Sequence, residues 1–129
     1  MKSNTDIEQA RTLAEFLPHE SADQTWERIP VALEQRYRHN GNTPFFIYCG
    51  IGFPCWSLAA LFSLLPSFII RKGKRMFLTM EKAGAFNLYY KSPDRLDELW
   101  ETKEELVDAC YEMILTLHEQ KLFNYEIAK

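Results

Sequence analysis

The sequence predicts an α+β fold: an antiparallel meander sheet of three to four strands, packed by a long C-terminal helix and a short buried central helix, with an N-terminal helix. Two turn signals, at residues 72–73 and 82–84, separate short segments rich in β-forming residues. Apolar residues recur at helical spacing between residues 106 and 117. The segment 54–66 is apolar on almost every side and has a proline at each end, which is typical of a short buried helix.

Length and composition indicate a single α+β domain spanning residues 1–129. The chain is 47% hydrophobic and 26% charged and has no low-complexity tract. Its net charge of -3 argues against a nucleic-acid binder held by charge alone. Three cysteines without the paired spacing of a zinc site predict reduced thiols in a cytoplasmic protein, with no metal and no other cofactor. The residues after Lys2 are polar, so no signal peptide is expected.

A membrane span is the alternative interpretation of the apolar middle of the chain. Residues 42–70 contain no charged side chain, and the basic segment 71–75 follows them as a positively charged flank would. Three prolines and two glycines, however, cut this stretch into short pieces. A spanning helix needs roughly 20 continuous residues. We therefore expect a buried core segment and no membrane partner.

The N-terminal region begins with a predicted helix. Thr5-Asp6-Ile7-Glu8 has the pattern of a capping box, apolar residues follow at helical spacing, and Pro18 ends the helix. Residues 19–43 carry weaker signals. A short helix from Pro30 to Arg38, with the proline in its first turn, avoids placing a proline inside a longer helix. A turn is expected at Asn40-Gly41-Asn42.

The middle of the chain predicts one strand and one helix. Phe45–Cys49 is rich in β-forming residues and is predicted to be a strand, followed by a flexible approach at Gly50–Phe53. Ser57 is the expected N-cap of a helix that runs to about Leu65, where Pro66 prevents extension. The apolar residues of this helix predict burial on more than one side, and they are Leu58, Ala59, Ala60, Leu61, Phe62, Leu64 and Leu65.

The first turn signal predicts a two-residue hairpin loop at Lys72-Gly73. Such a loop pairs Ile69 with Met76 in the two flanking strands. It also makes Arg71 face Lys74 across the turn, which is a like-charge pair and is tolerable only where both side chains are exposed.

The second turn signal predicts a three-residue loop at Lys82-Ala83-Gly84 with the glycine in the left-handed conformation. This loop pairs Leu78 with Leu88 in the flanking strands. Both registers place one apolar set on the same face of the sheet, and a slip by one residue would turn that set away from the core. The set consists of Ile69, Met76, Leu78, Met80, Phe86, Leu88 and Tyr90.

The long C-terminal helix is predicted to begin at a second capping box, Thr102-Lys103-Glu104-Glu105. It should lie across the apolar face of the sheet. Its apolar stripe consists of Leu106, Cys110, Met113, Ile114 and Leu117, with Val107 and Ala109 at the edges. Apolar residues between 122 and 127 predict that the tail packs back on the domain.

Two features of the predicted sheet carry candidate binding residues. The basic turn at 71–75 could grip a phosphate backbone, although a basic turn also keeps a hairpin soluble and blunts edge pairing. Aromatic residues on the outer face would provide either a stacking platform for nucleic acid or a patch for a protein partner. The candidate binding residues are Arg71, Lys72, Lys74, Arg75, Phe77, Tyr89 and Trp100. Trp26 is a further aromatic residue that the predicted core does not obviously need.

A thiol-dependent enzyme is a third hypothesis. Cys55 precedes a predicted helix, whose dipole would lower the pKa of a thiol, and His118 or His19 would be the base. No family-specific signature surrounds this cysteine, and the alternative is a structural role in which the thiol packs under Trp56. No catalytic residue is therefore assigned.

Two segments of the chain resemble small uncharacterised proteins encoded by phages and mobile elements of gut bacteria. These are Pro54-Cys55-Trp56-Ser57-Leu58-Ala59-Ala60-Leu61-Phe62-Ser63-Leu64-Leu65-Pro66 and the sequence DACYEMILTLHEQ from Asp108 to Gln120, with a short meander between them. The N-terminal residues 7–23 are also similar, whereas residues 24–43 differ. The resemblance implies a bacterial cytoplasmic protein of a mobile element and brings no catalytic residue with it.

Together these patterns favour binding over catalysis. The leading hypothesis is a small soluble protein-binding or accessory factor of phage or mobile-element origin, whose partner is another protein or a second copy of the chain. The alternative is a nucleic-acid-associated accessory protein that uses the basic hairpin turn at 71–75. The first hypothesis requires a contiguous exposed aromatic or apolar patch.

Overall fold

The computed structural model describes residues 2–31, 34–40 and 52–122 of the chain. The helices are α1 (Ile7–Ala14), α2 (Leu58–Leu64) and α3 (Leu106–Glu119), with a 3₁₀ turn at His19–Ser21. The strands are β1 (Gln24–Val31), β2 (Glu34–Asn40), β3 (Gly52–Cys55), β4 (Phe68–Arg71), β5 (Lys74–Ala83), β6 (Ala85–Lys91) and β7 (Glu98–Lys103).

The fold is α+β with antiparallel sheets, as predicted. β1, β2 and β3 form one sheet in the order β2-β1-β3, and the remaining strands form a second in the order β4-β5-β6-β7. The chain forms two compact units, residues 3–60 and residues 1–2 with 61–129. The single domain expected from the composition remains a prediction.

In the unit formed by residues 3–60, helix α1 is capped one residue later than predicted. Asp6, and not Thr5, is the N-cap: its Oδ1 accepts the Gln9 N–H at 2.8 Å, and the Asp6 N–H donates to Gln9 Oε1 at 3.1 Å. Thr5 is instead buried, and its hydroxyl accepts the Trp56 N–H at 3.1 Å. Because the Thr5 hydroxyl is engaged by the Trp56 N–H, the neighbouring Asp6 is the N-cap of the helix.

The predicted helix from Pro30 to Arg38 is wrong, because this region forms the hairpin of β1 and β2. Pro30 lies opposite Gln35 in the ladder. A proline lacks the N–H that a helix interior needs, whereas a strand tolerates it where its other side is not paired. The ladder between β1 and β3 covers only residues 24–27, so Pro30 lies beyond it.

The flexible approach predicted at Gly50–Phe53 is also wrong for its second half, since β3 begins at Gly52 and pairs with β1. β3 lies at the edge of the described sheet, where Pro54 costs no ladder hydrogen bond on its outer side. The predicted strand Phe45–Cys49 and the turn residues 41–42 lie outside the described residues. So do the apolar residues of the tail after Leu122.

Helix α2 forms where it was predicted. Ser57 Oγ accepts the Ala60 N–H at 3.1 Å, which is the expected capping bond, and Pro66 follows the end of the helix. Leu61 is fully buried, while Phe62 is 37% exposed. Leu65, just after the helix, is also buried, so the predicted burial holds for these two leucines but does not extend to every apolar side chain of the segment.

In the second unit, the first hairpin has the predicted register. Ile69 lies opposite Met76 and Arg71 opposite Lys74. Lys72 and Gly73 both have positive φ angles, 53° and 76°. Two successive residues with positive φ are the geometry of a type I′ turn, whose twist matches that of the strands.

The second hairpin is tighter than predicted. Ala83 lies opposite Ala85, so only Gly84, with φ of 77°, lies between the paired residues. Leu78 consequently pairs with Tyr90 and not with Leu88, a shift of two residues. Because side chains alternate with a period of two, this shift leaves the predicted apolar set on one face.

After the meander, the boundary between β7 and α3 differs from the prediction. The capping box at Thr102–Glu105 is wrong, because Thr102 lies in β7 and its hydroxyl donates to Asn87 Oδ1 at 2.8 Å. The helix begins at Leu106. Its predicted apolar stripe is confirmed, since all seven residues of the stripe and its edges are buried.

The core of this unit lies between α3 and the inner face of the four-stranded sheet. Ile69, Met76, Leu88 and Tyr90 on the sheet are fully buried, as predicted. Met80, at the far end of β5, is 45% exposed, which limits the core to the part of the sheet that α3 covers. Tyr90 donates its hydroxyl to Pro66 O at 2.6 Å, so its polar group is satisfied. Burial raises the pKa of this phenol.

Candidate functional site: the outer face of the four-stranded sheet

The side of the four-stranded sheet opposite α3, which we call the outer face, carries Phe77 and Trp100, two of the three exposed aromatic side chains among the described residues of its unit. The pleat determines its members, because alternate residues of each strand share a face. The aromatic and apolar members are Phe68, Ile70, Phe77, Tyr89 and Trp100, and the charged members are Arg75, Glu81, Lys91 and Glu98.

A pair of phenylalanines forms one part of the outer face. Phe68 on β4 lies directly opposite Phe77 on β5, with ring centroids 6.3 Å apart and planes at 49°. The Arg75 guanidinium lies over the Phe68 ring, 4.7 Å from its centroid. A guanidinium in this position is attracted by the negative ring face, so Arg75 is held against the sheet.

A tyrosine and a tryptophan form the second part. Tyr89 on β6 lies opposite Trp100 on β7, and their rings stack with centroids 4.3 Å apart and planes at 25°. The Tyr89 hydroxyl donates to Glu81 Oε1 at 2.8 Å, and the Trp100 indole N–H donates to Glu98 Oε2 at 2.5 Å. The hydrogen bond to Glu81 raises the pKa of Tyr89. Two carboxylates therefore orient the two rings.

The outer face exposes three large apolar side chains. Ile70 is 58% exposed, Phe77 48% and Trp100 44%, whereas Tyr89 is largely covered by the Trp100 ring. Large apolar side chains exposed on one face of a sheet are typical of an interaction site. The outer face thus exposes apolar side chains at two places, Ile70 and Phe77 on β4 and β5 and Trp100 on β7, and the protein-binding hypothesis would use them.

The basic turn does not combine with these aromatic residues into one patch. Arg71 and Lys74 lie on the inner side of the ladder and pair with aspartates of the β6–β7 loop: Arg71 Nη1 lies 3.2 Å from Asp97 Oδ1, and Lys74 Nζ lies 3.0 Å from Asp94 Oδ2. Lys72 is exposed at the turn itself. Of the four predicted cations, only Arg75 joins the outer face.

The sequence predicts a loop at Ser92-Pro93-Asp94, but it does not predict that aspartates of this loop pair with the basic turn. Hydrogen bonds from the Ser92 hydroxyl and the Leu96 N–H lower the pKa of Asp94 to about 2. Asp94 is therefore charged at any ordinary pH and remains a partner for Lys74. The like-charge pair of Arg71 and Lys74 is compensated by these carboxylates and not by solvent alone.

The structure brings together Arg75, Phe77, Tyr89 and Trp100 among the predicted binding residues, and it places Arg71, Lys72 and Lys74 elsewhere. Sequence reasoning missed the contributions of Phe68, Glu81 and Lys91. The spacing of two between Glu81, Thr79 and Phe77 was a usable signal for Glu81, since it predicts a common face. Trp26 belongs to the other unit, is partly exposed and donates its indole N–H to Thr5 O at 3.2 Å.

Cys55 has the environment of a structural thiol. It lies on β3, is fully buried, and its Sγ has hydrogen-bonding contacts with Asn4 at 3.6 Å and Thr5 at 3.7 Å. Burial raises the pKa of Cys55, and these hydrogen bonds lower it only in part. A nucleophilic thiol requires the opposite shift. Burial likewise raises the pKa of Cys110, to about 12.

We expect Cys55 and Cys110 to react with iodoacetamide much more slowly than glutathione does at neutral pH, because each thiol is buried and protonated. Labelling assigned to individual peptides by mass spectrometry checks this. The same peptides from protein unfolded in urea serve as the control and should be labelled fully. Labelling of Cys55 in the folded protein faster than glutathione would support the thiol-enzyme hypothesis instead.

Within the described residues, no group of three or more histidine, cysteine, aspartate or glutamate side chains could hold a metal ion. No helix among them is both long enough and apolar enough to cross a membrane.

Comparison of the chain with models of known protein families, with curated proteins and with solved structures gives no match. Fold and site together define the class as an α+β protein with an exposed aromatic sheet face.

Proposed function

We propose that this protein is a binding factor that docks a partner protein on the outer face of its four-stranded sheet. The observation that carries the proposal is the exposure of Phe77 and Trp100, each held by a second ring in a fixed orientation. A ring that is already ordered loses little conformational entropy when a partner covers it. Tryptophan in particular is enriched among the residues that contribute most to protein interfaces.

The charges of the outer face favour a protein partner over a nucleic acid. Two cations, Arg75 and Lys91, are balanced by two carboxylates, Glu81 and Glu98. Lys91 Nζ lies 5.9 Å from the centroid of the Tyr89 ring and 4.0 Å from Glu98 Oε2. Nucleic-acid platforms combine stacking rings with an excess of cations along the backbone path. The carboxylates of Glu81 and Glu98, which accept hydrogen bonds from these rings on the same face, would repel phosphates.

The same arrangement indicates the chemistry of the partner surface. Apolar side chains of the partner would cover the Phe77 and Trp100 rings, and groups of both charges at its rim would meet Arg75 and Glu98. Such an apolar centre with a polar rim is the usual anatomy of a protein interface. The role of an accessory factor in the cytoplasm of a phage or mobile-element host is part of the proposal and is supported by the sequence resemblance.

A displayed library of random peptides, selected on the immobilised full chain, tests the proposal. We expect enriched peptides to bind at least about thirtyfold more weakly to Phe77→Ser and to Trp100→Ser, because central interface residues commonly contribute 2 kcal/mol or more. Leu96→Ser is the matched control, since Leu96 is 81% exposed but lies in the β6–β7 loop and not on the outer face. Circular dichroism of each variant verifies that it folds.

Nucleic acid is the second candidate, and charge-reversing variants of two exposed cations decide between it and the protein partner. Single-stranded oligonucleotides of mixed sequence are titrated while tryptophan fluorescence is recorded at low and moderate salt. We expect no saturable quenching. Quenching that weakens with salt and is lost in Lys72→Glu and Arg75→Glu would replace the protein-binding proposal with the nucleic-acid one.

A further inference from the structure

β7 presents a row of backbone groups on the side away from β6, which no other described strand covers. β7 is the last strand in the order β4-β5-β6-β7, and no other described strand pairs with its far side. The Ser92 N–H donates to Asp97 O at 3.0 Å, which makes residues 92 and 97 a hydrogen-bonded pair of the β6–β7 ladder. This pair sets the direction of every backbone group that follows along β7.

The backbone N–H and C=O groups of successive residues point to opposite sides of a strand. Since Asp97 bonds to β6, the backbone groups of the odd-numbered residues of β7 also bond to β6. The N–H and C=O groups of Glu98, Trp100 and Thr102 point to the free side. Natural sheets protect such edges with short strands, prolines or bulges. β7 is six residues long and contains no proline, and the exposed Trp100 lies near its centre.

We propose that two copies of this chain pair through β7, antiparallel, about a two-fold axis at Trp100. The axis makes Trp100 face Trp100 of the second copy as a hydrogen-bonded pair that exchanges two N–H···O=C bonds. By the two-fold symmetry, Glu98 of each copy then faces Thr102 of the other copy. Each of these two facing pairs exchanges two further N–H···O=C bonds. The two four-stranded sheets become one continuous sheet, in which the second copy occupies the backbone groups that β7 leaves open.

The charges along β7 select this register over its neighbours. An axis at Trp100 brings Asp97 opposite Lys103 of the second copy, so two opposite-charge pairs form at the ends of the contact. An axis at Leu99 brings Asp97 opposite Glu101, and an axis at Glu101 brings two copies of Glu101 together. Like charges directly opposite each other are destabilising, whereas opposite charges stabilise a strand pair.

The two-fold axis is perpendicular to the sheet, so both outer faces lie on the same side and both α3 helices on the other. The two stacks of Tyr89 on Trp100 become neighbours at the centre of the enlarged outer face. This arrangement goes beyond the binding of a partner by one outer face, because it presents two such faces at a fixed spacing.

Sedimentation velocity of the full chain over a concentration series tests the proposal. We expect a species of about twice the monomer mass of 15.2 kDa. In Thr102→Pro the dissociation constant should rise at least about tenfold, because the proline removes an outward N–H from both copies. The substitution leaves the ladder with β6 intact, since the Thr102 N–H does not take part in it.

Met80→Pro is the matched control for the proline. Leu78 N–H donates to Ser67 O, so the Met80 N–H points to the same side, beyond the end of β4. The proline therefore removes an outward N–H at a second open edge and should leave the dimer unchanged. Lys103→Glu should weaken the dimer, because residue 103 faces Asp97 of the second copy and the substitution makes this a like-charge pair. Lys82→Glu changes a residue on the same face of the sheet but on β5, and it should leave the dimer unchanged.

Hydrogen exchange followed by NMR distinguishes this pairing from any other self-association. The amides of Leu99, Glu101 and Lys103 should be protected at every concentration, and those of Glu98, Trp100 and Thr102 only when the dimer forms. A monomer at all concentrations, or a dimer in which these three alternate amides exchange freely, would overturn the proposal. Loss of peptide binding in Phe77→Ser with the dimer retained would separate it from the proposed function.

Discussion

Replacing Leu88 by alanine is expected to lower the free energy of unfolding by about 2 to 5 kcal/mol, the usual cost of removing a buried leucine side chain. Leu88 is fully buried on the inner face of the four-stranded sheet, where α3 packs against β6 and β7. Its neighbours on that face include Met80, which lies opposite it on β5, and Glu101, which lies opposite it on β7. Glu101 accepts a hydrogen bond from the Thr116 hydroxyl at 3.0 Å and cannot fill the cavity without losing it, so most of the cost should remain.

Urea unfolding, followed by circular dichroism at constant m value, measures this difference. Met80→Ala is the control, because Met80 shares the face with Leu88 but is 45% exposed and should lose much less stability. Leu88→Met should cost under about 1.5 kcal/mol, since the volume is nearly conserved. Equal losses in Leu88→Ala and Met80→Ala would show that α3 does not cover this part of the sheet.

Replacing Trp56 by alanine is expected to lower the free energy of unfolding by about 3 to 5 kcal/mol. Trp56 is fully buried in the segment between β3 and α2, and its indole N–H donates to Ser21 Oγ at 2.9 Å. Its backbone carbonyl accepts the Thr5 N–H at 2.9 Å, so the same residue also fixes the N-terminal segment. Loss of the ring removes both the apolar burial and the side-chain hydrogen bond.

Ser21→Ala separates the two contributions. It leaves the Trp56 ring in place but its buried N–H without that acceptor, which commonly costs about 1 to 3 kcal/mol. Thermal unfolding should therefore rank the wild type above Ser21→Ala and Ser21→Ala above Trp56→Ala. His19→Ala, in the same 3₁₀ turn but exposed, is the control and should unfold close to the wild type. An unchanged midpoint for Trp56→Ala would contradict the assignment of this residue to the core.

Local signals in the sequence were sufficient where one short turn decides the geometry. Lys72-Gly73 predicted the register of Ile69 with Met76 because two residues with positive φ connect the strands directly. The same reasoning gives the second hairpin a register that is wrong by two residues, because Lys82 and Ala83 continue β5 up to Gly84. The face was nevertheless correct, since a shift of two keeps the alternation.

Local signals failed where the partner of a residue lies far along the chain. Thr5 and Thr102 both begin capping-box patterns, yet the core and a neighbouring strand engage their hydroxyls. Pro30 was assigned to a helix because the pairing of β1 with β2 leaves no strong mark in residues 24–40. Propensity is a weak guide when tertiary hydrogen bonds compete for the same groups.

For the candidate site, the sequence by itself determined that Phe77 and Tyr89 lie on the side of the sheet away from the α3 stripe. Alternation along strands and helical spacing suffice for this, because they depend only on neighbouring residues. Only the tertiary structure decided that Trp100 stacks on Tyr89, that Asp97 pairs with Arg71 and that Asp94 pairs with Lys74. Those contacts depend on β7 returning beside β6, and the register of that return is set by packing between segments that no local pattern connects.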